Sequence, residues 1–353
     1  MITGVYVRFV FDSPYLNYWI NHYLHLNFDY IIILFFEYGY EDKQQLTSFD
    51  IKQNLVKNNI LSPTLNKDNV IFKVINSKIG PNELYFKYKH IIPKNIDYLL
   101  QCDSDEYLLI NDKYSSIQNL ISKKCNHIKS KNKKVNLNNI ITLGLAWTWH
   151  VAPFKYENIN NHIYEGKKGG TFKKNVFYKY IVKINNLKLK EKCKHPIHGH
   201  CDYIFDIKDA QLLHVRQRGF NNILLKFIHY NKNLKGVGIS NCSSAKSKSG
   251  NFKNMLDFIL HINTTNREII INKLKQCNCF GYDMKLKNDI SEYINKHMIN
   301  CLKNNNFEVS NKIIEKKHYD NWFINRLKTN DYSDETIKLF IKNIDKINKL
   351  LHQ

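Results

Sequence analysis

Residues 5–36 read "VYVRFVFDSPYLNYWINHYLHLNFDYIIILFF", and their reading decides the fold. The β-branched and aromatic run at 5–11 predicts a strand. Asp12, Ser13 and Pro14 follow as capping residues with proline at the first turn, a helix-start signal. "YLNYWINHYLHL" then carries aromatic and Leu residues on one helical face, and "YIIILFF" (30–36) is apolar without alternation, as in a strand buried on both faces. Strand, helix and buried strand make a βαβ unit, which predicts a largely parallel sheet.

Working outward, "VIFKVI" (70–75) predicts a third strand and "IDYLLQC" (96–102) a fourth. Directly past the fourth lies "DSDEYLL" (103–109), three acids with apolar residues on both sides. Carboxylates so placed repel one another unless something cationic sits between them, which calls for a metal, a basic partner or an acid/base role. Ligands of open α/β sheets bind outside the carboxyl ends of the strands, so the acids fall where such a fold carries chemistry. Glu37 follows the second strand and Asp12 the first, so three strand ends offer acidic groups to one rim.

Residues 111–139 turn polar and basic. "IITLGLAWTWHV" (140–151) reads as a strand, "YEGKKGGTFKK" (164–174) as a Gly/Lys-rich loop, and "VFYKYIVKI" (176–184) as another strand. After a His-rich turn, "CKHPIHGHCDYIF", and a short apolar run, "AQLLHVRQR", the composition shifts near 235 to Ser, Lys and Asn. Apolar residues at helical spacing follow in "MLDFILHI", "YDMKLKNDISEYINKHMINCL" and "DETIKLFIKNIDKINKLL". The expected organisation is a catalytic α/β domain over 1–235 and a helical C-terminal region over 236–353.

The 353 residues are 43% hydrophobic, enough for a sizeable core and too apolar for a disordered chain. Lys and Arg outnumber Asp and Glu by 53 to 31, a net charge of +22, which suits an anionic partner. The abundance of Lys, Asn and Ile with little Gly or Pro also follows from an AT-rich coding bias, and the basic residues are spread along the chain, so no nucleic acid is expected as partner. Eight cysteines without regular spacing predict reduced thiols. No run reaches the length of a membrane span and the first residues lack a signal-peptide pattern, so the expectation is a soluble, cytoplasmic protein without a transmembrane segment.

At "DSDEYLL" the chain resembles the GT-A glycosyltransferases related to family 92 and to family-2-like proteins, whose signature is Asp-x-Asp-Glu-Phe-Leu. Other stretches are similar in the same order: "FDSPYLNYWINHYLHLNFDYIIILF" to the family's opening, "YKYIVKI" to the strand before its His-rich turn, and "LLHVRQRGFNNILLKFIHY" to its His-Tyr-Arg-x-Lys-Ser segment. The likeness spans roughly residues 5–230. It implies a GT-A fold, a Rossmann-like mixed sheet, and transfer of a hexose from a nucleoside diphosphate sugar, in the first place a UDP-sugar, to a glycan or protein hydroxyl. It implies Mn²⁺ or Mg²⁺ held by Asp103, Asp105 and His214, with Glu106 in support. Nucleotide contacts fall to Asp12, Glu37, Asp103 and Arg216, with Lys87, Lys183 and Arg218 as further phosphate candidates. Tyr18 replaces a common Glu before Trp19, and "HVRQRG" departs from the usual segment, which bears on donor preference.

An Asp-x-Asp pair suits this role because Mg²⁺ and Mn²⁺ prefer oxygen ligands and take few of them from protein when a diphosphate supplies the rest. Bound there, the metal acts as a Lewis acid on the leaving group. Asp202, Asp206, Glu157 and Glu165 all fall in the acceptor half as candidate bases, and Asp202, beside the His-rich turn, is the choice for the catalytic base. "CKHPIHGHC" offers zinc donors at no standard zinc spacing, "WTWH" at 147 reads equally as a sugar platform or a core strand, and "GKKGG" at 166 lacks the phosphate-loop pattern. A basic nucleic-acid-binding protein and a metal-dependent phosphoesterase built on Asp103, Asp105 and His214 stand as the alternatives.

Overall fold

The computed structural model describes residues 1–10, 15–36, 45–75, 87–137, 140, 142–151, 167–171, 179–184, 202–217, 221, 224, 256–276, 311–328 and 331–351. The chain is mixed α/β and divides into two compact units. The first is built mainly from Met1–Trp149 and Lys168–His214, the second mainly from Val215–Met284 and Ser310–Gln353. The sequence reading had placed a single boundary at 235.

Four strands open the first unit: β1 (Thr3–Val10), β2 (Tyr30–Phe36), β3 (Val70–Val74) and β4 (Tyr98–Asp103). β1 pairs in parallel with β2 on one side and β4 on the other, and β2 pairs in parallel with β3. Helix α1 (Leu16–His25) connects β1 to β2, and α2 (Ser48–Lys57) lies between β2 and β3. Ile31 through Phe35 are buried, as the unbroken apolar run requires. The anticipated cap at Asp12, Ser13 and Pro14 lies outside the described residues. The N-cap of α1 is Tyr15, with no side-chain cap bond, and Leu16, Trp19, Ile20 and Tyr23 anchor the helix in the core. α2, in contrast, carries a full capping box in which Asp50 N donates to Thr47 Oγ1 and Thr47 N to the Asp50 carboxylate.

The remaining strands are β5 (Glu106–Ile110), β6 (Thr142–Val151), β7 (Lys167–Thr171), β8 (Lys179–Lys183), β9 (Tyr203–Ile204) and β10 (Ala210–Gln217). The sheet runs β3-β2-β1-β4-β8-β6-β10-β5, with β7 and β9 also paired to β6. β8 is antiparallel to both β4 and β6, and β10 is antiparallel to β5, so the sheet is mixed. The Gly/Lys-rich segment read as a loop forms β7, because a neighbouring strand offers ladder bonds that a glycine-rich backbone accepts. α3 (Ile117–Lys131) follows β5, capped by Ser116, which accepts from Asn119 N at 3.1 Å.

One glycine is fixed by packing. A Cβ on Gly4 would lie 2.7 Å from Ile96 Cδ1 and 3.2 Å from Leu99 Cδ1, so a larger residue there requires the Ile96 side chain to shift.

In the second unit the named helices are α4 (Arg267–Gln276), α5 (Asn311–Lys328) and α6 (Asp334–Leu351). α6 buries Ile337, Phe340, Ile344, Ile347 and Leu351 along one stripe, and Phe340 meets Phe323 of α5 edge to face at 5.8 Å. Asn343, buried on that stripe, donates to the carbonyls of Ile259 and Leu260. No helix among the described residues is long and apolar enough to cross a membrane.

Candidate functional site

The strand order places a switch point at β1. The chain runs from β1 outward to β2 and β3, then returns to place β4 on the other side of β1. In open α/β sheets the carboxyl ends of the strands at such a switch point, here β1 and β4, are where ligands bind. β4 ends at Asp103, whose register partner on β1 is Arg8. Ser104 and Asp105 turn the chain, and β5 begins at Glu106.

The turn is built around a lysine. Lys179, the first residue of β8, is 2% exposed and sends its ammonium to Asp103 Oδ2 at 3.0 Å and to Glu106 Oε2 at 2.9 Å. Glu106, fully buried, also accepts from the backbone N–H of Asp103 at 2.7 Å. One ammonium, two carboxylates and one backbone N–H thus close a ring that fixes the turn. This ring answers the question raised by three adjacent acids: a basic partner sits between two of them. Asp103 keeps 44% of its side chain open at the rim, while Asp105 is buried beside it.

The electrostatics follow from that ring. Desolvation by the surrounding protein works against the Asp103 charge, but Lys179 and Arg8 outweigh it and hold the carboxyl below its ordinary range despite Asp105. Burial likewise works against the Lys179 charge, and the Asp103 and Glu106 carboxylates reverse it, raising the pKa of the lysine. Burial, reinforced by Glu106, pushes the Cys102 thiol up, so it stays protonated and unreactive.

Behind the turn, α1 completes β5. β10 pairs along one edge of β5, and on the other side Trp19 Nε1 and Tyr23 Oη donate to the Glu106 carbonyl at 3.2 and 3.0 Å. Leu108 N donates to Tyr23 Oη, and His22 Nε2 lies 2.9 Å from the Leu108 carbonyl. Three side chains of one helix face thereby satisfy backbone groups that an uncovered strand edge would leave to water. Because a carbonyl only accepts, His22 carries its proton on Nε2. Burial holds its pKa down to about 3, so the ring is neutral. Tyr23, also buried, is raised well above the usual tyrosine range, chiefly by desolvation.

The structure distributes the sequence-derived candidates unevenly. Asp103 and Asp105 flank the turn at the switch point, and His214 lies on β10 directly across from Glu106, so the backbone brings all three to one neighbourhood. For His214 and Arg216 only the backbone course along β10 is described. Asp12, Glu37, Arg218, the acids Glu157 and Glu165, and the His-rich turn at 193–201 lie outside the described residues. Asp202 sits at the other end of the sheet. Its carboxylate accepts from Thr142 N at 2.8 Å and Thr142 Oγ1 at 3.1 Å, and Thr142 lies level with Val182 and Leu99. Leu99 precedes Asp103 by four residues, about 13 Å along a strand. Asp202 therefore splices β9 to the amino end of β6. Lys183 is also at that end, across from Tyr98, and Lys87 is exposed beside the Tyr88 ring.

Lys179 and Arg8 are the site residues that the sequence reading passed over. A signal existed for Lys179: it stands between apolar and aromatic residues in "VFYKYIVKI", where an inward-facing lysine demands a carboxylate. Which carboxylate it meets depends on the register of β8 against β4, which no local pattern encodes.

Among the described residues, no group of three or more His, Cys, Asp and Glu side chains is arranged to hold a metal ion. Asp103 and Asp105 by themselves match the demand of Mg²⁺ or Mn²⁺ for one or two carboxylates, with phosphate and water completing the shell.

No protein-family model matches the chain, and no curated protein does. Among solved structures, it is similar to UDP-glucose pyrophosphorylase complexed with UDP-glucose, at 13% identity over 52% of this chain and 69% of that one. The TM-score of 0.24 is too low to carry weight for fold or function.

Proposed function

We propose that the chain is a metal-dependent glycosyltransferase of GT-A architecture, moving a hexose from a nucleoside diphosphate sugar, in the first place a UDP-sugar, to a glycan or protein hydroxyl. The observation that supports this most is the acidic turn Asp103-Ser104-Asp105 at the carboxyl end of β4, beside the switch point between β1 and β4. The resemblance of "DSDEYLL" to the family signature points to the same residues.

In this reading Asp103 and Asp105 would hold Mn²⁺ or Mg²⁺ with His214 as a third ligand, and Asp12 and Glu37, which follow β1 and β2 in the sequence, would receive the nucleotide. When bound, the metal would neutralise charge developing on the departing diphosphate. Lys179 and Glu106 fix the Asp103 carboxylate at the rim before any ligand arrives. Arg8 adds positive charge beside Asp103, where the diphosphate would lie. The acceptor oxygen bonds to the anomeric carbon as the bond from that carbon to phosphate breaks. The electron pair leaves on the nucleoside diphosphate, and the proton of the acceptor hydroxyl passes to solvent water. Arg216, on β10, is a further candidate for the phosphate contact.

The test is calorimetric titration with UDP and UDP-sugars, with and without Mn²⁺, for the wild type and Asp105→Asn, alongside release of free UDP. Metal-dependent binding and UDP release that both disappear in Asp105→Asn are expected. Absence of binding by any nucleoside diphosphate with Mn²⁺ present refutes the reading.

A further inference from the structure

Lys179 occupies a position between two carboxylates of the acidic turn. Its ammonium lies on Asp103 Oδ2 and Glu106 Oε2, and at 2% exposure it cannot swing into solvent as a surface lysine does. A divalent cation approaching Asp103 therefore meets a fixed positive charge on the same carboxylate. Arg8, whose charge also acts on Asp103, adds a second. Like charges a few ångströms apart in partly desolvated protein repel strongly enough to change an affinity by about tenfold or more. A ligand bearing two phosphates brings enough negative charge to reverse that balance.

We propose that Lys179 makes divalent-cation binding at this rim conditional on the anionic ligand: the protein alone holds the cation weakly, and a nucleoside diphosphate admits it. The proposal rests on the transferase reading for the identity of the anion. It differs from a scaffolding role for Lys179 in the sign of one effect. Removing a scaffold residue weakens every ligand, whereas removing a competing cation strengthens the metal on its own. Linkage also requires Mn²⁺ and UDP to strengthen each other's binding by the same factor.

The experiment measures Mn²⁺ binding, by paramagnetic resonance of the free ion, to the full chain with and without saturating UDP. It compares the wild type with Lys179→Met/Glu106→Gln, which removes the ammonium and its buried counter-charge together and leaves Asp103 in place. For the wild type, Mn²⁺ alone should bind at least about tenfold more weakly than Mn²⁺ with UDP. In the double variant, Mn²⁺ alone should bind about tenfold more tightly than it does to the wild type. Adding Asp103→Asn to that variant should abolish the gain.

Wild-type protein that binds Mn²⁺ equally well with and without UDP overturns the proposal, and that measurement needs no variant to fold. So does a folded double variant with unchanged or lower affinity for Mn²⁺ alone, or a gain that survives Asp103→Asn. Failure of UDP to bind even with Mn²⁺ removes the transferase reading. A gain for Mn²⁺ alone in the variant would then still identify Lys179 as the competing cation, and no gain would remove that role too.

Discussion

Replacing Lys179 by methionine should destabilise the sheet unit strongly at neutral pH and progressively less as pH falls. Glu106 is fully buried and has the Lys179 ammonium at 2.9 Å as counter-charge, whereas Asp103 is open enough to be solvated. Breaking a buried ion pair by removing one partner costs about 3–5 kcal/mol. An independent bound comes from protonation. A stranded Glu106 takes up a proton in the folded state, which costs about 1.4 kcal/mol for each pH unit between about 4.3 and 7, or about 3.7 kcal/mol in all. The two figures agree, so a loss of about 3–4 kcal/mol at pH 7 is expected.

The sign of the pH dependence then follows. In Lys179→Met the folded-state pKa of Glu106 lies above its unfolded value, so the folded state binds more protons and stability rises as pH falls toward about 4.5. Urea unfolding at pH 7 and pH 5, followed by tryptophan fluorescence, measures both quantities. Lys179→Met/Glu106→Gln should recover to within about 1 kcal/mol of the wild type at pH 7 and lose the added pH slope, because Gln still accepts from Asp103 N. A Lys179→Met protein within about 1 kcal/mol of the wild type at pH 7, or with the wild-type pH slope, would refute the description of Lys179 as the counter-charge of the buried Glu106.

Other consequences are as direct. With its folded pKa at about 3 against 6.5 unfolded, His22 stabilises fully above pH 6.5 and progressively less below. It should account for about 2 kcal/mol of loss between pH 7 and pH 5, absent in His22→Gln and read from urea midpoints at the two pH values. Gly4→Ala should cost about 1–3 kcal/mol through its clash with Ile96 Cδ1, and Gly4→Ala/Ile96→Val, which lacks that atom, should recover part of it in thermal unfolding. Asp202→Ala should lower stability by about 1–2 kcal/mol through loss of the Thr142 contacts, with UDP affinity and turnover unchanged at a temperature where the variant is folded. A turnover loss of about a hundredfold or more would instead assign Asp202 to proton transfer.

The alternation of elements was legible because it is written in local chemistry. The apolar run of β2 can only be a strand covered on both faces, and β1, β3 and β4 lie within a few residues of where their β-rich runs predict. The acidic turn was legible for the same reason: charge at the end of an apolar strand is visible in one dimension. The N-cap of α1 was not, since Tyr15 stands there with no side-chain cap bond while Leu16, Trp19 and Tyr23 pack in the core. β7 was hidden because glycine-rich backbone takes strand form only when a partner strand is offered.

By itself, then, the sequence determined a mixed α/β chain with acids at the carboxyl end of its fourth strand and helices toward its end. Hydrophobic period, turn residues and charge are properties of neighbours in the chain. Tertiary structure alone decided what the acids face. Antiparallel pairing of β8 with β4 brings Lys179 across 76 residues of sequence to Asp103, and the same sheet carries Asp202 to the opposite end. Register between strands distant in sequence depends on the summed packing of the whole sheet, which no single segment carries.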